Sequence, residues 1–276
     1  MDIIKREQLK NNFLKATIIR LDFQNILDKD MTEIVPIVKE YAKNHGFDKY
    51  EEKNSGEIKV SVTERDFGTP DVTSDVVNEK KIYCFTNEIG YSLELSDSFV
   101  VVKFVSTKYI SFEKQFKIIS DIISILSEKS SFFTEKRFGV RKINKCLLRD
   151  KSLIARYFNP AVINFYKNEN IENTMISKQF DVFAKGECLT NFNRSIIQGK
   201  SNDDILHQIE LDIDTYIQET DSIKNTIYDE EKVMQLNNII FEIFISSLSE
   251  ELIWSNVNKV DSKKRRNHVI INNASF

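Results

Sequence analysis

The chain reads as an α+β protein in which antiparallel strands are packed by a few helices. Three features of the sequence predict this class. Short β-branched and aromatic runs alternate in and out. Two longer stretches carry apolar residues at helical spacing. Breakers are scarce, with 7 Gly and 3 Pro in 276 residues. A hydrophobic content of 41% with 20 Phe supplies a real core, which excludes wholesale disorder and Gly- or Pro-rich low complexity.

The run FLKATIIRLDF (13–23) predicts a first strand. MTEIVPIVKEYAKN (31–44) predicts a helix with Ile34, Ile37, Val38 and Tyr41 on one side, Pro36 in its first turn and Gly46 just past its end. EIKVSVTE (57–64) alternates, and a turn is expected around Gly68 and Pro70. Three short strands follow at 81–86, 91–96 and 99–105, separated at hairpin distances by Gly90 and by Asp97-Ser98. Residues 111–129 predict a helix capped by Ser111, with Phe112, Phe116, Ile119, Ile123 and Leu126 as its stripe. A strand at 137–148 follows, containing Gly139, where close backbone approach or a bulge is expected.

Farther on, 174–184 and 187–197 predict a hairpin about Gly186, and HQIELDIDTYI (207–217) alternates without interruption. A single long helix is expected over 229–254, with Asp229 as N-cap and Val233, Leu236, Ile240, Phe244, Leu248 and Leu252 as its stripe. Strands then a helix, twice, suggest two similar lobes each ending in a long helix, 1–150 and 151–257. A basic and polar tail then occupies 258–276.

Charge is segregated. Residues 135–151 hold seven Lys or Arg against two acids, a local +5, and 201–231 hold ten acids against Lys224, a local −9. Lys263, Lys264, Arg265 and Arg266 add a basic run in the tail. On the acidic strand, period two puts Gln208, Glu210, Asp212, Asp214 and Tyr216 on one face, with Ile209, Leu211, Ile213 and Ile217 toward a core. Carboxylates about 7 Å apart along a strand face are a metal candidate, Glu210, Asp212 and Asp214 supplying oxygen ligands to a divalent cation. The plainer reading is a charged outer face that discourages edge pairing. On the basic strand, Arg137, Arg141 and Lys145 share one face and Lys142 and Asn144 the other. Arg141, Asn144 and Lys145 are the ligand or ion-pair candidates there, since Arg141 can fork onto a phosphate or onto a carboxylate of the acidic strand.

Other chemistry has little support. Cys84, Cys146 and Cys188 form no CxxC pair, which argues against a thiolate zinc site and fits a reducing cytosol, with Cys84 and Cys146 as small buried hydrophobes. His45, His207 and His268 are scattered. His45 suits a helix C-terminus, and His207 could join Glu210 or Asp212 at a metal. No GxSxG, HExxH, P-loop or GxGxxG pattern occurs, so no catalytic residue is assigned and the balance leans away from an enzyme. No secretory leader or run of 18 apolar residues is read, so a soluble, cytoplasmic protein without membrane contact is expected.

The order KIYCFTNEIGYSLELSDSFVVVKF, YISFEKQFKIISDIISIL, RFGVRKIN and HQIELDID resembles a sporadically distributed family of uncharacterised bacterial and archaeal proteins of about this length. Val140, Arg141, Ile143 and Asn144 match its "Leu-Arg-Tyr-Ile-Asn" strand. Asp212 and Asp214 match its hydrophobic-Asp-hydrophobic-Asp strand, and Phe241 or Phe244 the closing helix. The likeness covers about 13–257 and departs at Lys142, where the family has an aromatic. It implies no activity. The family's patchy occurrence resembles that of mobile or antiviral defence loci. The functional expectation is therefore a non-enzymatic binding or regulatory protein acting through a partner protein, with charge separation steering association and no cofactor. The alternative is a metal-dependent phosphoester or nucleotide enzyme on 210–214. Nucleic-acid binding would rest on the basic tail together with the 136–151 segment.

Overall fold

A computed structural model describes residues 13–64, 70–105, 111–163, 175–201, 204–257 and 269–270. The turn at Gly68, His268 and the Lys263–Arg266 run lie outside the described residues. The class is α+β, with the strands antiparallel wherever register is resolved. In chain order the elements are β1 (Leu14–Phe23), α1 (Asp28–Asn44), β2 (Lys49–Glu64), β3 (Pro70–Thr86), β4 (Tyr91–Leu95), β5 (Phe99–Phe104) and α2 (Phe112–Lys129). Then follow β6 (Glu135–Leu148), α3 (Ser152–Tyr157), α4 (Pro160–Ile163), β7 (Ile176–Lys185), β8 (Cys188–Ser201) and β9 (Asp204–Ile217). The chain continues with α5 (Thr220–Ile227), α6 (Glu230–Ser246), α7 (Glu250–Val257) and β10 (Val269–Ile270).

The elements gather into two compact units that are not consecutive halves. An inserted unit comprises Arg20–Lys103 and Ser111–Lys136, and a terminal unit takes 13–19, 104–105 and the described residues from 137 onward. A cut at residue 150 would divide the chain differently, because β1 and β6 each run from one unit into the other.

In the inserted unit the strand order runs β2-β3-β4-β5 to the second half of β1. β4 shows the alternation directly, Tyr91, Leu93 and Leu95 being buried between half-buried Ser92 and Glu94. Ile34 and Val38 of α1, Ile119, Ile122 and Leu126 of α2, and Phe85, Leu95 and Val102 of the strands are fully or almost fully buried. Helix α1 packs against α2. Tyr41 donates to Asp121 at 2.8 Å, and the backbone N–H of Ser131 donates to buried Asp30 at 2.9 Å. Ser111 caps α2 as its spacing predicts, accepting from Lys114 N–H. Helix α1 begins at Asp28, earlier than its apolar spacing suggests, so Pro36 stands in the helix interior and not in the first turn. His45 sits at the C-cap, its Nδ1 2.8 Å from the Tyr41 carbonyl, and Gly46 supplies the positive φ of 81° that ends the helix.

The terminal unit orders its strands β1-β6-β9-β8-β7, with β10 on β6. Pairing of β9 with β6 is continuous from Phe138↔Ile217 to Leu148↔His207, and with β8 from Leu189↔Tyr216 to Ser201↔Asp204. Ile209, Leu211, Ile213 and Ile217 are buried, and α6 packs on β9 through a unit whose core includes Val233, Leu236, Ile240 and Phe244. Phe244 meets Phe13 edge-on at 6.5 Å. Asp229 caps α6 by accepting from the N–H groups of Glu231 and Lys232.

The expected single helix over 229–254 is two. At 247–249 the backbone turns outward to bond residues 157–159: Asn159 N–H donates to the Ser247 carbonyl, Ser249 N–H to the Tyr157 carbonyl, and Leu248 bridges Phe158. These long-range partners replace helical ones, and no apolar spacing could announce them. Among the described residues no helix is long and apolar enough to cross a membrane.

Candidate functional site

The charged segments meet on neighbouring strands. Register puts Lys145 opposite Glu210 and Arg141 opposite Asp214, with Ile143 opposite Asp212. Because residues directly opposite share a face, the predicted basic face of β6 and acidic face of β9 form one surface. On the other side of β9, β8 sets Asn191, Asn193 and Ser195 opposite Asp214, Asp212 and Glu210. Each carboxylate thus has cations on one flank and uncharged polar groups on the other.

The cations are in contact. Lys145 Nζ lies 2.8 Å from Glu210 Oε2, straight across the ladder. Arg141 reaches diagonally and forks onto Asp212, Nε to Oδ1 at 2.7 Å and Nη2 to Oδ2 at 2.6 Å. Arg137 Nη2 donates to Asp214 Oδ2 at 2.7 Å, its guanidinium lying over the Tyr216 ring at 4.2 Å. Gly139, opposite Tyr216, explains that reach. A Cβ at Gly139 would stand 2.9 Å from Tyr216 Cβ and 3.3 Å from the Arg137 guanidinium, so only glycine leaves room for both. The approach at this glycine is made by the side chains of Tyr216 and Arg137, where the sequence predicts a neighbouring backbone or a bulge.

Electrostatics follow the geometry. Hydrogen bonding to the Asp212 carboxylate raises the pKa of Arg141, and burial opposes that rise. Burial pushes Asp214 above the usual carboxylate range, while Arg137 and Arg141 pull it back. The Asp212 side chain is 7% exposed and Arg141 44%, so the acid is buried and its partner reaches into solvent.

Other predicted residues fall elsewhere. Asn144 is on the opposite face, buried, with Nδ2 3.5 Å from the Leu211 carbonyl. His207 pairs opposite Leu148 and alternates with Gln208, so it lies on the core side and does not join Glu210 or Asp212. Burial and then nearby Lys151 lower its pKa. Strand β9 is an interior strand of this order, so its charges do not serve as edge protection. Cys84 and Cys146 are buried and unbridged, and burial pushes the Cys146 thiol up to about 12, leaving it an inert thiol. Among the described residues, no three His, Cys, Asp or Glu side chains are grouped to hold a metal ion.

One surface escaped sequence reasoning. Strand β7 ends the order, and Ile176, Phe180 and Val182 are exposed along one of its faces. The hairpin about Gly186 was legible, but the sequence holds no mark of which hairpin strand has a second neighbour. Compared with known family models and with curated proteins, the chain matches none.

Proposed function

We propose that the chain is a non-enzymatic binding protein acting through a partner protein, in a locus of the mobile or defence-associated kind. Its docking surface would be the face shared by β6, β9 and β8. One observation carries this reading: the groups best suited to chemistry are already committed to one another. Glu210, Asp212 and Asp214 each accept from a basic side chain of β6, which gives an ordered basic stripe beside an acidic one. Parallel stripes of opposite sign steer and orient a partner that carries the inverse pattern. The competing reading, a metal-dependent phosphoester or nucleotide enzyme, requires a divalent cation to displace Arg137, Arg141 and Lys145 from their acids.

The test pairs two measurements. Quantitative crosslinking and pull-down from the source cells is expected to recover a stoichiometric protein that Lys145→Glu releases. Calorimetry with Mg²⁺ or Mn²⁺ is expected to show no heat that Asp212→Ala removes. Turnover of a nucleotide or phosphodiester that depends on Asp212, with no protein recovered, would overturn the proposal in favour of the enzyme.

A further inference from the structure

We propose that β7 pairs, antiparallel, with β7 of a second copy of this chain, with Phe180 facing Phe180 of the second copy across the two-fold axis. The inference does not rest on the docking proposed above, since it uses the outer edge of β7, although Phe180 and Val182 lie on the same sheet face as Asp212 and Asp214.

An unpaired strand edge presents rows of amides that other strands can extend, and proteins blunt such edges with Pro, bulges or charge. Strand β7 has none of the first two. It runs ten residues, ISKQFDVFAK, in unbroken register with β8, and among the described residues it pairs with no other strand. Its charges are mostly drawn onto its own chain: Arg194 pairs with Asp181, and Lys185 Nζ lies 2.5 Å from Glu242. Along its outer face Ile176, Phe180 and Val182 remain 58%, 55% and 54% exposed.

The backbone points the same way. The Met175 carbonyl accepts from Gln198 N–H at 2.7 Å, and continuing that register gives residues 177, 179, 181, 183 and 185 their bonds to β8. Residues 176, 178, 180, 182 and 184 therefore turn their N–H and C=O groups away from β8. Ile176, Phe180 and Val182 belong to this outward set, whereas Met175 and the less exposed Phe183 belong to the set bonded to β8.

Register selects a second copy. A two-fold normal to the sheet matches like faces, so even positions pair with even ones. Centred on Phe180, the pairs are Phe180 with Phe180, Lys178 with Val182 and Ile176 with Ala184 on one face, and Gln179 with Asp181 and Ser177 with Phe183 on the other. No like charges stand opposite each other, an amide meets a carboxylate, and about ten interchain backbone hydrogen bonds form. Centring on Asp181 would oppose two carboxylates, and centring on Gln179 would leave 183–185 unpaired. Self-complementarity of this kind is what an isologous interface requires.

Sedimentation velocity or light scattering on the full chain is expected to give twice the 32.3 kDa chain mass. Phe180→Lys sets cation against cation and should weaken the dimer at least about tenfold while circular dichroism stays unchanged. Hydrogen-bonded antiparallel pairs place Cα atoms about 5.5 Å apart, within disulfide reach. Phe180→Cys is therefore expected to yield a covalent dimer under mild oxidation, and Ser177→Cys, as the wild type, is not. Amides of Phe180 and Val182 should exchange slowly at high protein concentration and fast at low. A monomer at tens of micromolar, a dimer indifferent to Phe180→Lys, or equal trapping of Ser177→Cys would overturn the inference.

Discussion

In the inserted unit, β4 turns Tyr91, Leu93 and Leu95 inward, and α2 sets Ile119, Ile122 and Leu126 among the same buried residues. In the terminal unit, β9 turns Ile209, Leu211 and Ile213 inward by the same period, but its other face carries Glu210, Asp212 and Asp214 bound to β6. Polar contacts in the inserted unit join separate pairs, on helices as in Asp30 with Ser131 and Tyr41 with Asp121, or near neighbours along a strand as in Arg20 with Asp22. Those of the terminal unit repeat along a ladder. The difference separates two ways of holding a sheet: apolar burial, which is non-directional, and ion pairing, which also sets register.

The largest effect is expected where packing acts alone. Ile119 is fully buried in α2, so Ile119→Ala should cost about 2–5 kcal/mol in chemical denaturation, through lost transfer energy and a residual cavity. A cost under about 1 kcal/mol would mean the inserted unit does not depend on this core, and the comparison would break at its simpler end.

Next comes the ladder. Arg141→Ala leaves the buried Asp212 carboxylate without its fork and should destabilise by about 2–4 kcal/mol. Asp212→Asn should cost less, because the half-exposed Arg141 can return to water. The double variant should then cost less than the sum of the singles, giving a coupling of about 1–3 kcal/mol. Additivity would reduce the ladder to surface decoration.

Much of this contrast is legible in the sequence because period two needs only local information. The acidic and basic faces, the Asp229 and Ser111 caps and the Gly46 and Gly186 turns all follow from side chains within a few residues of one another. What is not legible depends on distant partners. Arg141 was a candidate fork, but whether it met phosphate or Asp212 depends on β6 lying beside β9, and strand order is not a local property. The interruption at 247–249 coincides with backbone bonds to residues 157–159, and Asp30 in the first turn of α1 takes its partner from distant Ser131. Short helices α3 and α5 likewise lack enough turns for a periodic signal.

Gly139 gives a smaller and more pointed test of the ladder's geometry. Gly139→Ala introduces a Cβ 2.9 Å from Tyr216 Cβ, an atom close to the backbone that cannot swing aside. The expected cost is about 1–3 kcal/mol, with the Arg137 guanidinium displaced from the Tyr216 ring. Tyr216 fluorescence, or its ring-proton shifts in NMR, reads that displacement separately from stability. An unchanged ring environment would show that the reach of Arg137 to Asp214 does not need the glycine.

The smallest expected effect is one of slope. His207 is buried on the core side of β9, and burial and Lys151 depress its pKa, with Asp150 opposing. A histidine whose folded pKa lies below the unfolded value of about 6.5 binds its proton more readily when unfolded. Its contribution to stability is therefore fully present above about pH 6.5 and is lost as pH falls through that value toward the folded pKa. Asp214 has the opposite sign: its raised pKa makes the folded state hold the proton more tightly, so stability falls as pH rises from about 3.9 toward the folded value. Denaturation midpoints of wild type and His207→Gln between pH 5 and 8 should converge on acidification, the variant lacking the wild type's decline below pH 6.5. The same experiment with Ile119→Ala should shift every midpoint equally, since no titrating group is touched. Parallel curves for His207→Gln would show that the imidazole reaches water and its proton in the folded state, and would place it outside the packed side of β9.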